Sequence, residues 1–320
     1  MNIVHKVYSK ENGNTFMSHS SLAYIYAQSW APENKEDIKA VFQITHGMAE
    51  HSDRYEDFAQ YLCSQGYAVF IHEHIGHGKS VKSDEFLGYF GKDDEPWIHL
   101  VEDCHQMTKL AKSEYPGLPV ILFGHSMGSF VARAYLSKYA DELKAAVICG
   151  TAGPNPAAGA GIIMANIIGK LYGLNYKTKF LDNLAFGSYN KKFIKTEPDN
   201  GFNWLSVNKE NVEKYNADKY CGFLFSVSGF KGLFGILKYV SASKWFTSVP
   251  KDLPMLLTSG KEDPVGSFGK GVKTVYDNLI DTNHKRTDIK LWNGLRHEIL
   301  NEKTNAEVYE YIAKWVGKKL

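Results

Sequence analysis

The chain contains no uninterrupted apolar stretch of about 18 residues, the length a helix needs to cross a bilayer. Its opening residues, MNIVHKVYSKENGN, also lack the apolar core of a secretory leader. These absences predict a soluble, non-secreted, cytoplasmic protein. An excess of one charge is missing too: 37 Lys and Arg against 35 Asp and Glu leave a formal net charge of +2. Phosphate backbones require a concentrated basic face, so nucleic acid is not the expected partner. Cysteine is scarce, and Cys63, Cys104, Cys149 and Cys221 form no CxxC pair. Three of them sit in apolar-periodic segments, which reads as buried free thiols in a reducing compartment. There is no internal repeat. The glycine-rich stretch at 153–161 lacks the later spacing and acidic residue of a dinucleotide-binding loop.

What is present is an alternation. Short apolar runs at 39–45, 67–71, 119–123 and 144–150 have the continuous character of strands buried on both faces of a parallel sheet. Helical patterns lie between them, at 52–66 with a capping-type Ser52, at 97–115 and at 127–139. The alternation stops after Gly150 and resumes with a strand at 253–260, a helix at 269–280, a strand at 288–294 and a terminal helix carrying Val308, Tyr311, Ile312 and Trp315 on one face. The segment 22–31 reads as a more exposed, antiparallel leading strand. The pattern predicts a doubly wound α/β core in two pieces, 1–152 and 251–320, interrupted by a cap at 153–250. Within the cap, GIIMANIIGKLYGL reads as a helix whose apolar side faces an acyl chain or docks on micelles or membrane. It is too interrupted, by Asn166 and Lys170, to span a bilayer.

Chemistry is expected at the strand ends. GHSMG, Gly124 to Gly128, fits G-x-S-x-G between a strand and a helix. A sharp reversal there strains Ser126 and exposes its hydroxyl, while Gly124 and Gly128 let the flanking elements approach. A serine hydroxyl needs a histidine to take its proton and a carboxylate to orient that histidine, in the chain order Ser, acid, His. Downstream of Ser126 only His284 and His297 remain. His284 lies in the polar stretch TNHKRTD and reads as a solvated turn, whereas His297 directly follows the last strand and is taken as the base. Glu262 and Asp263 both follow the strand ending near Gly260; Asp263 precedes Pro264 in a turning loop and is taken as the acid, with Glu262 solvated. The backbone N–H groups of Met127 and of Met48, after the His46-Gly47 turn, are the expected donors to an oxyanion.

IHEHIGHGKS, residues 71–80, gathers His72, His74 and His77, a density that raises the question of a metal. The turn formed by the glycines and the lack of a distant Cys or Asp cluster argue against a closed ligand set, so neither metal nor cofactor is expected.

Taken together, GHSMGS, HGMAEHSDRY, EHIGHGKS, SGKEDPVG and RHEILNE resemble the monoacylglycerol lipase and lysophospholipase group of the α/β-hydrolase superfamily, from about Val41 to the C-terminus. The segment 202–223 resembles the cap of bacterial lysophospholipases. The resemblance implies the α/β-hydrolase fold, a mostly parallel central sheet flanked by helices with an inserted, mainly helical cap roofing an acyl pocket. It also implies the triad Ser126, Asp263 and His297, and a histidine loop that packs beneath the nucleophile. Two positions depart from the group: Ala49 stands where many members have glycine, and Glu73 where they have aspartate. The expected activity is hydrolysis of single-chain lipid esters, with at most transient membrane or micelle contact through the cap. Aryl or feruloyl esters, and peptides with a free amino terminus, are the competing substrates on the same fold. A peptidase would need acidic cap residues, for which Glu197, Asp199, Glu210 and Glu213 are the candidates. A ligand-binding relative without catalysis would lack a triad member, and none is missing.

Overall fold

The computed structural model describes residues 2–320. In chain order the first half contains β1 (Ile3–Tyr8), β2 (Ala27–Pro32), β3 (Ala40–Thr45), α1 (Glu56–Ser64), β4 (Tyr67–His72), α2 (Trp97–Glu114), β5 (Val120–His125), α3 (Met127–Tyr139) and β6 (Ala145–Cys149). Five helices follow: α4 (Ala158–Tyr172), α5 (Lys179–Phe186), α6 (Lys209–Ala217), α7 (Val227–Ser241) and α8 (Ser243–Ser248). The chain closes with β7 (Met255–Gly260), α9 (Lys270–Asp281), β8 (Thr287–Trp292) and α10 (Asn305–Gly317). The strands form one sheet in the order β1-β2-β4-β3-β5-β6-β7-β8. β2 is antiparallel to both β1 and β4, and every other pairing is parallel.

Continuous apolar strands feed two cores because successive side chains leave opposite faces of the sheet. Val41, Leu122 and Ile148 enter the core shared with α2, α3 and α7. Their neighbours Phe42, Phe123 and Val147 enter the other core, shared with α1 and α10. Each such side chain, fully buried, contributes about 1.5–3 kcal/mol relative to exposure. The sheet therefore has two dry faces, and its polar chemistry is confined to strand ends. α7 lies against α4 on one side and against α2 and α3 on the other, so it joins the inserted helices to the core.

Three expectations are corrected. The leading strand is shorter than 22–31 and is buried along its whole length, because β1 covers its outer edge and His5 stacks on Trp30 at 4.8 Å between ring centroids. Its polar residues misled: Gln28 donates to Ser52 at 2.7 Å, and Ser29 meets the Tyr8 hydroxyl at 3.1 Å. Ser52 does not cap a helix; it opens a short 3₁₀ turn, and its hydroxyl donates to Glu73 at 2.9 Å. His284 is not solvated but fully buried, its ring bridging the Leu279 and Val249 carbonyls at 3.1 and 3.0 Å. A polar neighbourhood in sequence concealed a histidine that ties α9 to the segment before β7.

Candidate active site

The turn from β5 into α3 places Ser126 at φ 54° and ψ −122°, a strained conformation for a residue with a side chain. It survives because its surroundings demand it. A Cβ at Gly124 would strike the Gly128 carbonyl and Ala132, and one at Gly128 would strike the Thr45 and His46 carbonyls. Strand, helix and the end of β3 thus converge on Ser126, whose own N–H donates to the Cys149 carbonyl at 3.0 Å.

Asp263 and His297 meet from loops after β7 and β8. The His297 ring donates from Nδ1 to Asp263 Oδ2 at 2.9 Å, which leaves Nε2 as the free nitrogen. Asp263 also accepts from the Ser259 hydroxyl and the Val265 N–H, each at 2.8 Å. Burial opposes its charge, but His297 and these bonds prevail and hold the carboxyl below its ordinary range. Ser126 and His297 line the same cavity, with no direct hydrogen bond between them. Glu262, by contrast, points to the surface and pairs with Lys192.

The turn after β3 is built around one amide. The Gly47 N–H donates to Glu50 at 2.5 Å and the Ala49 N–H to His77 Nε2 at 3.2 Å, so the Met48 N–H between them stays free of an acceptor. Met127, as the first residue of α3, likewise has no intrahelical acceptor for its N–H. Ala49 has φ 50°, a left-handed conformation that glycine adopts at no cost, so alanine here carries strain. Its carbonyl is held by Tyr215 and the Gly222 N–H, both at 2.9 Å and both from the insert.

The histidine-rich run is spent on this scaffold. The His46 Nε2 accepts from the His74 N–H at 3.0 Å, and its Nδ1 donates to the Gly47 carbonyl at 2.8 Å. His74 bonds Thr45 at 2.9 Å. Burial pushes His46 down to about 4 and His72 to about 3, and it holds His74 and His77 well below the ordinary range; all four are neutral. Glu73 accepts from Ser52 and from the Lys79 N–H, which closes the loop.

Several contributors were not legible in the sequence. Arg54 donates a fork to Glu298 at 2.7 and 2.6 Å and reaches Glu50 at 2.7 Å. Glu50 in turn meets the Tyr55 hydroxyl at 2.8 Å and His125 at 3.3 Å. Burial works against both carboxylates, yet His125 and Arg54 keep Glu50 well below its ordinary range, and Arg54 lowers Glu298. This buried network connects the turn before Met48, the residue before Ser126 and the residue after His297. Trp204 packs its ring 5.1 Å from that of His297, and Glu302 fixes the segment beneath it by accepting from Ser206 at 2.7 Å. Sequence spacing alone would read Arg54 and Glu298 as solvated charges.

Above the site opens a cavity of about 1290 Å³. Phe130, Leu184, Phe186, Leu233, Phe234 and Leu237 form much of its apolar wall. The helix expected to line it is largely turned away: α4 buries Ala158, Gly161 and Ala165, with Gly161 against Phe234, and it leaves Ile163, Ile167 and Leu171 exposed. Small residues allow the close approach to α7, so the bulky face is left outward.

A strained serine at a strand-to-helix turn, a histidine held by a buried aspartate and two free amides nearby, all at one end of a mostly parallel sheet, define an α/β-hydrolase. The family model described as serine aminopeptidase, S33, matches residues 36–304, and the chain belongs to that family. It is 29% identical to the monoglyceride lipase of Homo sapiens over 304 residues, covering 92% of this chain and 88% of the relative. The monoacylglycerol lipase of Mycolicibacterium smegmatis is 25% identical, with 98% and 100% covered. The structure is also similar to a thermostable carboxyl esterase from Bacillus coagulans solved with glycerol, at a TM-score of 0.88, 27% identity and 99% of each chain covered. Among the described residues no helix is long and apolar enough to cross a membrane.

Proposed function

We propose that the protein hydrolyses the esters of single-chain lipids, monoacylglycerols or lysophospholipids, through an acyl-enzyme. The observation that carries this reading is the large apolar cavity opening directly onto Ser126 and His297. His297 Nε2 takes the proton as Ser126 Oγ bonds to the ester carbonyl carbon, and the Met48 and Met127 N–H groups receive the resulting oxyanion. Collapse breaks the bond to the alcohol oxygen, which leaves with the proton from His297. Water, deprotonated by the same nitrogen, then releases the fatty acid. Asp263 keeps the proton of the neutral ring on Nδ1 and stabilises the imidazolium. His46, Gly47, His77, Gly124 and Gly128 support the backbone around these groups.

The matched monoglyceride and monoacylglycerol lipases support the choice of substrate. A peptidase reading is weakened by the acidic candidates themselves. Glu197 is paired with Arg296, Glu210 with Lys214, and Glu213 is exposed. Asp199 lines the cavity, but its carboxylate accepts from the Asn190 amide and the Gly201 N–H. The exposed stripe on α4 suits transient contact with micelles or membrane, and four buried free cysteines suit a reducing, cytoplasmic setting. The test is a rate panel of monoacylglycerol, lysophospholipid, feruloyl ester and amino-acid anilide, with Ser126→Ala as blank. Dominant lipid-ester turnover that vanishes in the variant is expected; turnover of the feruloyl ester or anilide alone would overturn the substrate class.

A further inference from the structure

We propose that His51, Asp218 and Cys221 form a site for a zinc-type divalent metal ion, joining the insert to the turn that carries Met48. One ligand atom from each of the three residues lies within 4.8 Å of the other two. A tetrahedral ion with bonds of about 2.0–2.3 Å needs ligand separations of roughly 3.4–3.8 Å, so His51 Nε2 and Asp218 Oδ2, 2.8 Å apart, open by about half an ångström, and any separation near the 4.8 Å limit closes by about one. Nitrogen, carboxylate oxygen and sulfur together are the donor set of zinc and cadmium rather than of magnesium or calcium.

The site is built from two separate parts of the chain. Asp218 and Cys221 share one turn after α6, closed by the Cys221 N–H donating to the Asp218 carbonyl at 3.0 Å and the Tyr220 N–H to Asp218 Oδ1 at 2.8 Å. That arrangement leaves Asp218 Oδ2 directed at His51 Nε2, 2.8 Å away. The other ring nitrogen of His51 faces Asp53 Oδ2 at 3.7 Å. That separation exceeds a hydrogen bond, but a shift of about an ångström would bond the far nitrogen to a carboxylate, the arrangement that orients metal-bound histidines and raises their basicity. Asp53 and Asp218 flank His51, and Asp218, Glu50 and Glu298 outnumber the guanidinium of Arg54 around Cys221, whose thiol burial pushes up and a bound cation would bring down.

Binding is balanced by one proton. The Cys221 thiol releases it to solvent as the sulfur lone pair bonds the ion; His51 gives up its Nε2–H bond to Asp218 and carries its ring proton on Nδ1, toward Asp53, so that the Nε2 lone pair bonds the ion. Asp218 is about one-third exposed, so solvent completes the fourth position. Gly222, next to Cys221, donates to the Ala49 carbonyl, and Ala49 is two residues from His51. The ion thus clamps the insert onto the turn next to the reacting serine, while none of its ligands lines the cavity.

The test is metal uptake by the full chain, a readout that does not depend on catalysis. Titration with cadmium is followed by the ultraviolet sulfur-to-metal charge-transfer band, and zinc is measured by competition. One equivalent and a raised melting temperature are expected. Cys221→Ser should abolish the band, since Cys63, Cys104 and Cys149 are wholly inside the two sheet cores, whereas Cys221 lies at the edge of the insert beside His51 and Asp218. Asp53→Asn removes no ligand, and Asp53 sits at the surface beside His51, so this variant carries the test if the cysteine variant fails to fold; it should weaken affinity about 10–100-fold. No band at excess cadmium, a band that survives Cys221→Ser, or an affinity unchanged in both Asp53→Asn and Asp218→Asn overturns the site and leaves His51 and Asp218 a hydrogen-bonded pair.

Discussion

Replacing Asp263 by asparagine exchanges one carboxylate oxygen at the centre of the site for an NH₂ group, and the structure dictates which one. Asp263 Oδ1 accepts from the Val265 N–H at 2.8 Å, so the asparagine oxygen takes that position. Its NH₂ then occupies the place of Oδ2, facing Ser259 and His297 Nδ1. The serine hydroxyl can rotate to accept, which limits the stability loss to about 1–2 kcal/mol. The imidazole cannot keep a proton on Nδ1 opposite an N–H donor, so it moves to Nε2 and the ring loses its capacity to take a proton from Ser126. The equivalent exchange in serine proteases lowers kcat about 10⁴-fold, or about 5 kcal/mol of barrier. The assay is ester hydrolysis at pH 8 with active sites counted by a fluorophosphonate, alongside a melting curve. Glu262→Gln is the comparison: its carboxylate is on the surface with Lys192, and its rate should stay within about twofold of the parent. A folded Asp263→Asn enzyme within tenfold of the parent, or a collapse in the Glu262 variant instead, would refute the assignment.

Other perturbations probe the scaffold. Arg54→Met leaves Glu50 and Glu298 buried without their counterion and should cost about 3–5 kcal/mol in urea unfolding; a loss below about 1 kcal/mol would mean that the network is not held by charge. Asp103 is buried away from the site, and burial raises its pKa to about 7 despite bonds from Ser18 and the His19 N–H. A carboxyl raised above its unfolded value of about 3.8 binds more protons when folded, so stability falls as pH rises between about 4 and 7. Asp103→Asn should therefore raise the melting temperature at pH 8 and lose that advantage near pH 4; an equal effect at both values contradicts the linkage. Substituting Ile163, Ile167 and Leu171 together by glutamine should reduce hydrolysis of micellar monoacylglycerol but spare a soluble short-chain ester, with equal losses on both counting against a docking face.

Periodicity along the chain was enough to determine the alternating core, because a strand buried on both faces must be apolar throughout and a helix must repeat its buried side near every 3.6 residues. It was enough, too, to single out Ser126, since only glycines at 124 and 128 permit the close approach that its turn requires. Asp263 and His297 followed from their places after β7 and β8 and from the resemblance to known hydrolases. Tertiary structure alone decided which charges are buried. Arg54, Glu50 and Glu298 come from segments as much as 248 residues apart, and His51 meets Asp218 and Cys221 across the junction with the insert. It also decided which face of α4 is dry: small side chains at Ala158, Gly161 and Ala165 pack more closely than bulky ones, so the apolar residues that seemed destined for the cavity lie at the surface. A sequence records the polarity of each residue, but burial is a property of what the chain brings alongside it, and that is settled only when distant segments pack.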